Sequence, residues 1–297
     1  MTPPATPVPT VVVNNGPRIG NCPVFPADNP WNQVVTNLPV HPNSANYIAS
    51  INANRQFLHA DFGENPDYGI PFVEVGASQP MVPITFTAYG DESDPGPYPI
   101  PANAPVEGGS DRHVLAVDSD NCMLYELFNA AYNGTGWNAD SGAVFNLLSN
   151  QLRPLGWTSA DAAGLPIFPG LVRYDEVEAG AILHALRFTV QRTQRAFILP
   201  ATHFASSSTD PNLPPMGLRL RLRADYDISS YTGMSRVILE ALKTYGMILA
   251  DNGSSWFISG ATDPRWNDDD LNQLKRVPGS AFEAVDTGAL ITEAQLP

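Results

Sequence analysis

The apolar residues of this chain come in short runs of period two, and Pro or Gly soon interrupts most of them. Cys122, Leu124, Glu126 and Phe128 would share one face of a strand, with Met123, Tyr125 and Leu127 on the other. The same alternation sets Ile182, His184, Leu186, Phe188 and Val190 against Leu183, Ala185, Arg187 and Thr189. A third run covers residues 113–117, and earlier ones read F-V-E-V from Phe72 and V-P-I-T-F-T-A-Y from Val82. The loop G-D-E-S-D-P-G-P-Y-P-I-P that follows has too many turn residues for regular structure and reads as a plain surface loop or the rim of a cleft.

Helix signals are few. Residues 44–51 form a candidate short helix that Asn43 or Ser44 can cap. Residues 235–245 carry Ile238, Leu239, Leu242 and Tyr245 at helical spacing, with Gly246 at the C′ position. The strand M-I-L-A then enters D-N-G-S, a hairpin signal, before S-W-F-I-S. With 29 Pro, 23 Gly and only 15% charged residues, the chain favours short strands and rigid turns over long surface helices. The expected fold is mainly β: a β-sandwich or jelly-roll-like domain with one substantial helix and a few short ones. Residues 1–20 read as a Pro/Thr-rich linker, and residues 21–297 as a single β-rich domain long enough to bury a sizeable core.

Charge narrows the partners. A net charge of −14, from 16 Lys plus Arg against 30 acids, lacks the basic footprint that nucleic acid needs. The local exception, G-L-R-L-R-L-R, would align Arg219, Arg221 and Arg223 on one strand face, read as solvated or carboxylate-paired rather than as a polyanion site. No run of 18 apolar residues predicts a membrane span. The opening M-T-P-P-A-T-P-V-P-T has neither the charged nor the apolar region of a signal peptide and is similar to the linkers that tether modules of extracellular enzymes. Cys22 and Cys122 are either one disulfide, closing a loop of about 100 residues in an oxidising compartment, or two buried thiols. No G-x-S-x-G elbow, G-x-G-x-x-G or P-loop occurs, which disfavours a serine hydrolase and nucleotide cofactors. Nothing in the sequence sets an oligomeric state.

Residues 111–184 carry the chemistry. Acids and histidines recur there inside apolar strand patterns, where each is costly to bury without a partner. Glycoside hydrolysis needs one carboxyl group held protonated and a second held ionised. Glu126 is the general-acid candidate, with Asp175 or Glu176 as partner carboxylate and His113 and His184 positioning or tuning them. Arg173, Asp111, Tyr125, Trp137, Trp157 and Asp161 are candidates for holding substrate; Arg173 can orient a hydroxyl, and loop tryptophans can stack on sugar rings. A divalent metal on Asp111, His113 and His184 is a weaker alternative, since no H-E-x-x-H or paired-Cys motif supports it, and no cofactor is otherwise expected. The expected function is hydrolysis of a polysaccharide outside the cell. The alternatives are a β-eliminating lyase using Tyr125 or Tyr174 with Arg173, and a carbohydrate-binding or cell-surface module without catalysis.

At these residues the chain resembles a broad group of secreted bacterial proteins, some of which carry carbohydrate-binding modules. The shared pattern is Asp111-x-His113, Tyr125-Glu126, G-L-P at residues 164–166, Arg173 with Asp175 and Glu176, His184 to Leu186, and A-L-x-x-Y-G-M-I-x-A-D-N-G at residues 241–253. The resemblance covers about residues 22–286 and implies a common fold and cleft, with no activity to transfer. The chain departs from the pattern at Leu183, where the group has an acid, so no acid adjoining His184 is expected to take part.

Overall fold

The computed structural model describes residues 16–52 and 55–297. Val114–Asp118 and Met123–Phe128 pair antiparallel, Ser141–Asn146 adds antiparallel beyond Met123–Phe128, and Phe72–Val75 closes the other edge in parallel. Val114–Asp118 is buried along its whole length because both faces of this four-stranded sheet are covered. Leu115, Val117 and Leu124 enter the main core, whereas Val114, Ala116 and Leu127 enter a smaller one built on Tyr98, Ile100, Trp137 and Ala139. The alternation read from the sequence therefore separates two apolar clusters rather than core from solvent.

A six-stranded sheet also contributes to the main core. Its strands run in the order Phe282–Val285, Arg219–Leu222, Met247–Asn252, Leu186–Val190, Phe257–Ile258 and His59–Ala60. Leu186–Val190 lies parallel to Met247–Asn252, and Phe257–Ile258 parallel to His59–Ala60. This order overturns the hairpin expected at D-N-G-S: Leu186–Val190 inserts between the strands on either side of that turn. The strand expected over residues 182–190 begins only at Leu186, which leaves His184 in the preceding loop. Strand exceeds helix, 26% against 18%, so the mainly-β expectation holds.

The substantial helix is Gly233–Thr244, whose Ile238, Leu239, Ala241 and Leu242 pack into the main core. Gly246 ends it with φ +68, and a Cβ there would lie 2.1 Å from the carbonyl oxygen of Leu220, so only glycine satisfies both the turn and the neighbouring strand. The short helix Ser44–Ile51 forms as expected, but without a side-chain cap, because the Asn43 side chain is engaged by Asn46 and donates to the carbonyl of Pro211.

The arginine stripe is structural. Arg219 is buried and donates to the carbonyls of Tyr245, Pro30 and Gln33 at 2.7, 2.8 and 3.1 Å. Arg221 pairs with Glu283 and reaches three further carbonyls between residues 35 and 38, and Arg223 pairs with Asp225. Carboxylate pairing thus describes Arg221 and Arg223, while Arg219 uses backbone dipoles alone.

Of the predicted linker, residues 1–15 lie outside the described residues, and Arg18–Ile19 already pairs antiparallel with Cys22–Pro23. Cys22 and Cys122 are disulfide-bonded across a sequence separation of 100. A loop of that length gives a chain-entropy stabilisation of about 4 to 5 kcal/mol. Replacing both cysteines by serine is expected to lower the unfolding free energy by roughly that amount in urea titrations. An unchanged midpoint would show that the bridge does not constrain the unfolded chain.

Candidate functional site

The parallel pair of strands sets the site. After Phe188 and Leu249 the register shifts, so that Thr189 faces Asp251 and Ala250 is the extra residue of a bulge. A bulge re-aims the side chains beside it. The Ala250 carbonyl accepts from the Ala163 amide at 2.9 Å, which ties the loop of residues 158–164 to the sheet. Below that loop Arg187, on the neighbouring strand, is buried and donates to both carboxylate oxygens of Asp161 at 2.7 and 2.8 Å. Its remaining nitrogen donates to Ser259 Oγ at 2.7 Å, and Asp251 Oδ2 lies 3.5 Å from Nη2.

Above this floor runs a groove of three adjoining cavities. The central one, of about 420 Å³, is walled by Asp61, Glu107, Asp111, His113 and Asp251 over Arg187. It shares Asp111, Asp251 and Asn252 with a second cavity of about 420 Å³ that reaches Tyr89, Phe128 and His203. On its other side it shares Asp61, Tyr68 and Phe257 with a third, of about 380 Å³, reaching His59, Asp268 and Lys275. The loop of residues 107–111 presses on the turn before Tyr68: a Cβ on Gly108 would lie 2.5 Å from the Asp67 carbonyl oxygen.

The carboxyl groups of the groove sit in unlike environments. His113 Nδ1 faces Glu107 and its Nε2 lies 2.9 Å from the Ala160 carbonyl oxygen, so both ring nitrogens meet acceptors. Burial opposes charge on both partners, but their hydrogen bond and mutual attraction outweigh it, raising His113 and lowering Glu107 as an imidazolium–carboxylate pair. Asp251 goes the other way. Burial, reinforced by the charge of Asp161, pushes it up to about 7 despite Arg187, although its side chain keeps 24% exposure to the groove. Burial also raises Asp61, against the attraction of Arg187.

The residues expected from sequence divide between this groove and the interior. Asp111 and His113 line the groove, and Asp161, with no exposure, lies directly behind its wall. Glu126 does not reach it. The side chain has no exposure, accepts from the backbone amides of Ile167 and Phe168 at 2.9 Å, and is pushed up to about 7 by burial that those amides only partly offset. A buried acid needs donors, and this one finds them in a turn, so its burial marks an anchor rather than a cleft. Glu176, Arg173 and His184 form a second buried cluster outside the groove: Arg173 and His184 both bond the Glu176 carboxylate, the latter at 3.0 Å, and His184 Nδ1 meets the Ala185 carbonyl oxygen at 2.8 Å. Asp175 is 63% exposed on the helix Tyr174–Glu178, with Arg173 Nε 3.9 Å away.

The aromatic candidates are elsewhere too. Trp137 is buried in the smaller core, Tyr125 packs on Tyr98 at 5.3 Å, and Trp157 is half-buried with Arg153 over its ring. Asp111, His113 and His184 are not brought together, and among the described residues no group of three or more His, Cys, Asp or Glu is placed to hold a metal ion. Sequence reasoning missed Asp61, Glu107, Arg187 and Asp251. One usable signal was present: Asp251 closes a buried apolar run, and the carboxyl ends of parallel strands are where sites collect.

Comparison with protein-family models, curated proteins and solved structures found no match for this chain.

Because Glu126 is raised from 4.5 to about 7, the folded state holds its proton more tightly than the unfolded chain does. Its contribution to stability is complete below about pH 4.5 and is lost as pH rises through 7. Glu126→Gln, whose amide oxygen can still accept from Ile167 and Phe168, is expected to remove a decline on the order of 3 kcal/mol across that window. Urea unfolding of variant and wild type from pH 4 to 8 checks this; parallel stability curves would exclude Glu126 as the titrating group.

Proposed function

We propose that this chain is an extracellular polysaccharide-degrading glycoside hydrolase whose catalytic carboxylates are Asp251 and Asp111. The observation that carries the reading is Asp251: a carboxyl group pushed up to about 7, yet open to a groove, where it and Asp111 both line two adjoining cavities. A protonated acid and an ionised carboxylate facing one sugar bond are the two parts that glycoside hydrolysis requires. Asp251 donates its proton to the leaving glycosidic oxygen as the C1–O bond breaks. Asp111 either attacks C1 or takes a proton from the water that does. In the first case water then displaces Asp111 from C1, giving OH to C1 and its proton to Asp251; in the second the same water gives OH to C1 and its proton to Asp111, and exchange with solvent resets both carboxyl groups. Arg187, held by Asp161, limits how far Asp251 rises without pairing with it closely.

The four- and six-stranded sheets contributing to the main core support reading the fold as sandwich-like, and the disulfide is compatible with an oxidising, extracellular setting. Among the described residues no helix is long and apolar enough to cross a membrane. The resemblance to secreted bacterial proteins adds to the proposal through Asp111 and His113 at the groove and through the A-D-N-G segment that contains Asp251. The lyase alternative is weaker, because Tyr125 and Arg173 lie outside the groove, and the groove's cations are Arg187 and His113, already engaged by Asp161 and Glu107, and Lys275 at one end. A carbohydrate-binding module without catalysis is the second reading, favoured by the same groove if nothing is cleaved.

Release of reducing sugar from a panel of glucans, xylans, chitosans and uronates decides among them. Wild-type turnover is expected to fall as pH rises through about 7, as Asp251 loses its proton. Asp251→Asn and Asp111→Asn are each expected to lose roughly 10²- to 10⁴-fold in kcat while still binding the polymer. Full activity in either variant would falsify the assignment; products absorbing in the ultraviolet would mark elimination; binding with no turnover on any polymer would leave the module reading.

A further inference from the structure

We infer that the groove accommodates a long, non-acidic polysaccharide, and that Tyr68, Phe257 and Asp61 form a distant sugar subsite that makes chain length a determinant of specificity. The inference rests on the polysaccharide reading above and concerns a part of the groove that the proposed chemistry does not use. Asp251 and Asp111 stand where the central cavity meets the cavity of Tyr89 and His203. On the opposite side of the central cavity the groove continues through a neck into the third cavity, and the residues common to both are Asp61, Tyr68 and Phe257. A chain lying across the proposed cleavage point therefore has room on both sides, with the longer arm passing this neck.

The neck has the chemistry of a sugar contact. Tyr68 is 58% exposed, and Phe257 is backed by His59 in a stacked pair with ring centroids 4.2 Å apart. Flat rings present apolar faces to the C–H side of a pyranose, while carboxylates take its hydroxyl protons. Asp61 supplies that acceptor. Among the described residues its carboxylate accepts no hydrogen bond and forms no ion pair, whereas Glu107 is committed to His113, Asp161 to Arg187, and Asp268 accepts from the Glu64 amide at 2.9 Å. Three things thus coincide at one point of an open groove: an exposed ring, a supported ring and a solvent-exposed acceptor free of protein partners among the described residues. Charge sets the remaining limit. Asp61, Asp67, Glu107, Asp111, Asp251 and Asp268 line the two cavities that meet here, against Arg187, His113 and Lys275, so acids predominate and a polyuronate would meet net repulsion in the longer arm.

Calorimetric titration with oligosaccharide ladders from disaccharide to octasaccharide tests this without depending on catalysis. The probes are β-1,4-glucose, β-1,4-xylose and glucosamine ladders, with oligogalacturonates as the acidic comparison. At least one non-acidic ladder is expected to gain affinity beyond the length that fills the central cavity, and the acidic ladder is expected to show no such gain. Tyr68→Ala should shrink the ratio of octasaccharide to disaccharide affinity by about 3- to 10-fold, and Tyr68→Phe should retain it, because the stacking face survives. Affinity that stops rising at the shortest lengths, a preference for the acidic ladder, an unaltered ratio in Tyr68→Ala, or no binding of any ladder overturns the inference. Length-dependent binding without turnover would sink the hydrolase reading and leave the subsite standing; turnover that ignores chain length would do the reverse.

Discussion

The bidentate pair between Arg187 and Asp161 organises this molecule's groove. Both groups are buried, so neither can be removed alone without leaving an uncompensated charge in the interior, a loss of about 3 to 5 kcal/mol for a pair of this kind. The pair joins the central strand Leu186–Val190 to the loop of residues 158–164. Ser141 Oγ and His113 reach the same loop, at the carbonyls of Ser159 and Ala160. Glu126 then holds the next turn through Ile167 and Phe168. Polar residues from three strands are thus spent on one irregular segment, and the groove is the space left above it. The same arginine also reaches toward Asp251 at 3.5 Å, close enough to restrain its pKa and too far for a full hydrogen bond.

What could be read from the sequence follows the range of the interaction. The helix Ser44–Ile51, the helix Gly233–Thr244 with its terminal Gly246, and the strand Met123–Phe128 rest on local periodicity and turn chemistry, and they appear within a residue or two of where the pattern puts them. The insertion of Leu186–Val190 beside Met247–Asn252 depends on residues some sixty positions apart, and no local signal at D-N-G-S distinguishes a hairpin from a strand end entering a cleft. The acids show the same division. A carboxylate among apolar strand residues was legible as buried, and Glu126 is indeed buried and satisfied by specific partners; Asp161 and Glu176, which no strand pattern marked, are satisfied likewise. Which of them faces a cavity depends on what packs opposite, and sequence spacing does not carry that. Asp61 and Glu107 lie outside any periodic run, so nothing local marked them.

Function in this account comes from the contrast between neighbouring carboxyl groups rather than from their number. Glu107 is held charged by His113, Asp161 is paired with Arg187, and Asp251 is left in a position where burial and its neighbour Asp161 favour its proton. Such a spread of environments inside one groove is what acid–base chemistry on a neutral substrate needs, and a purely structural ion-pair network would have no reason to leave its least stable carboxylate facing solvent.

A crystal structure of Asp251→Asn soaked with the longest oligosaccharide that binds would test the central claim most directly. The account predicts a chain lying along the groove, with a glycosidic oxygen within hydrogen-bond distance of the residue 251 side chain and the Asp111 carboxylate on the opposite side of the adjoining sugar. A chain bound elsewhere on the surface, or in the groove with no glycosidic bond near residue 251, would contradict it.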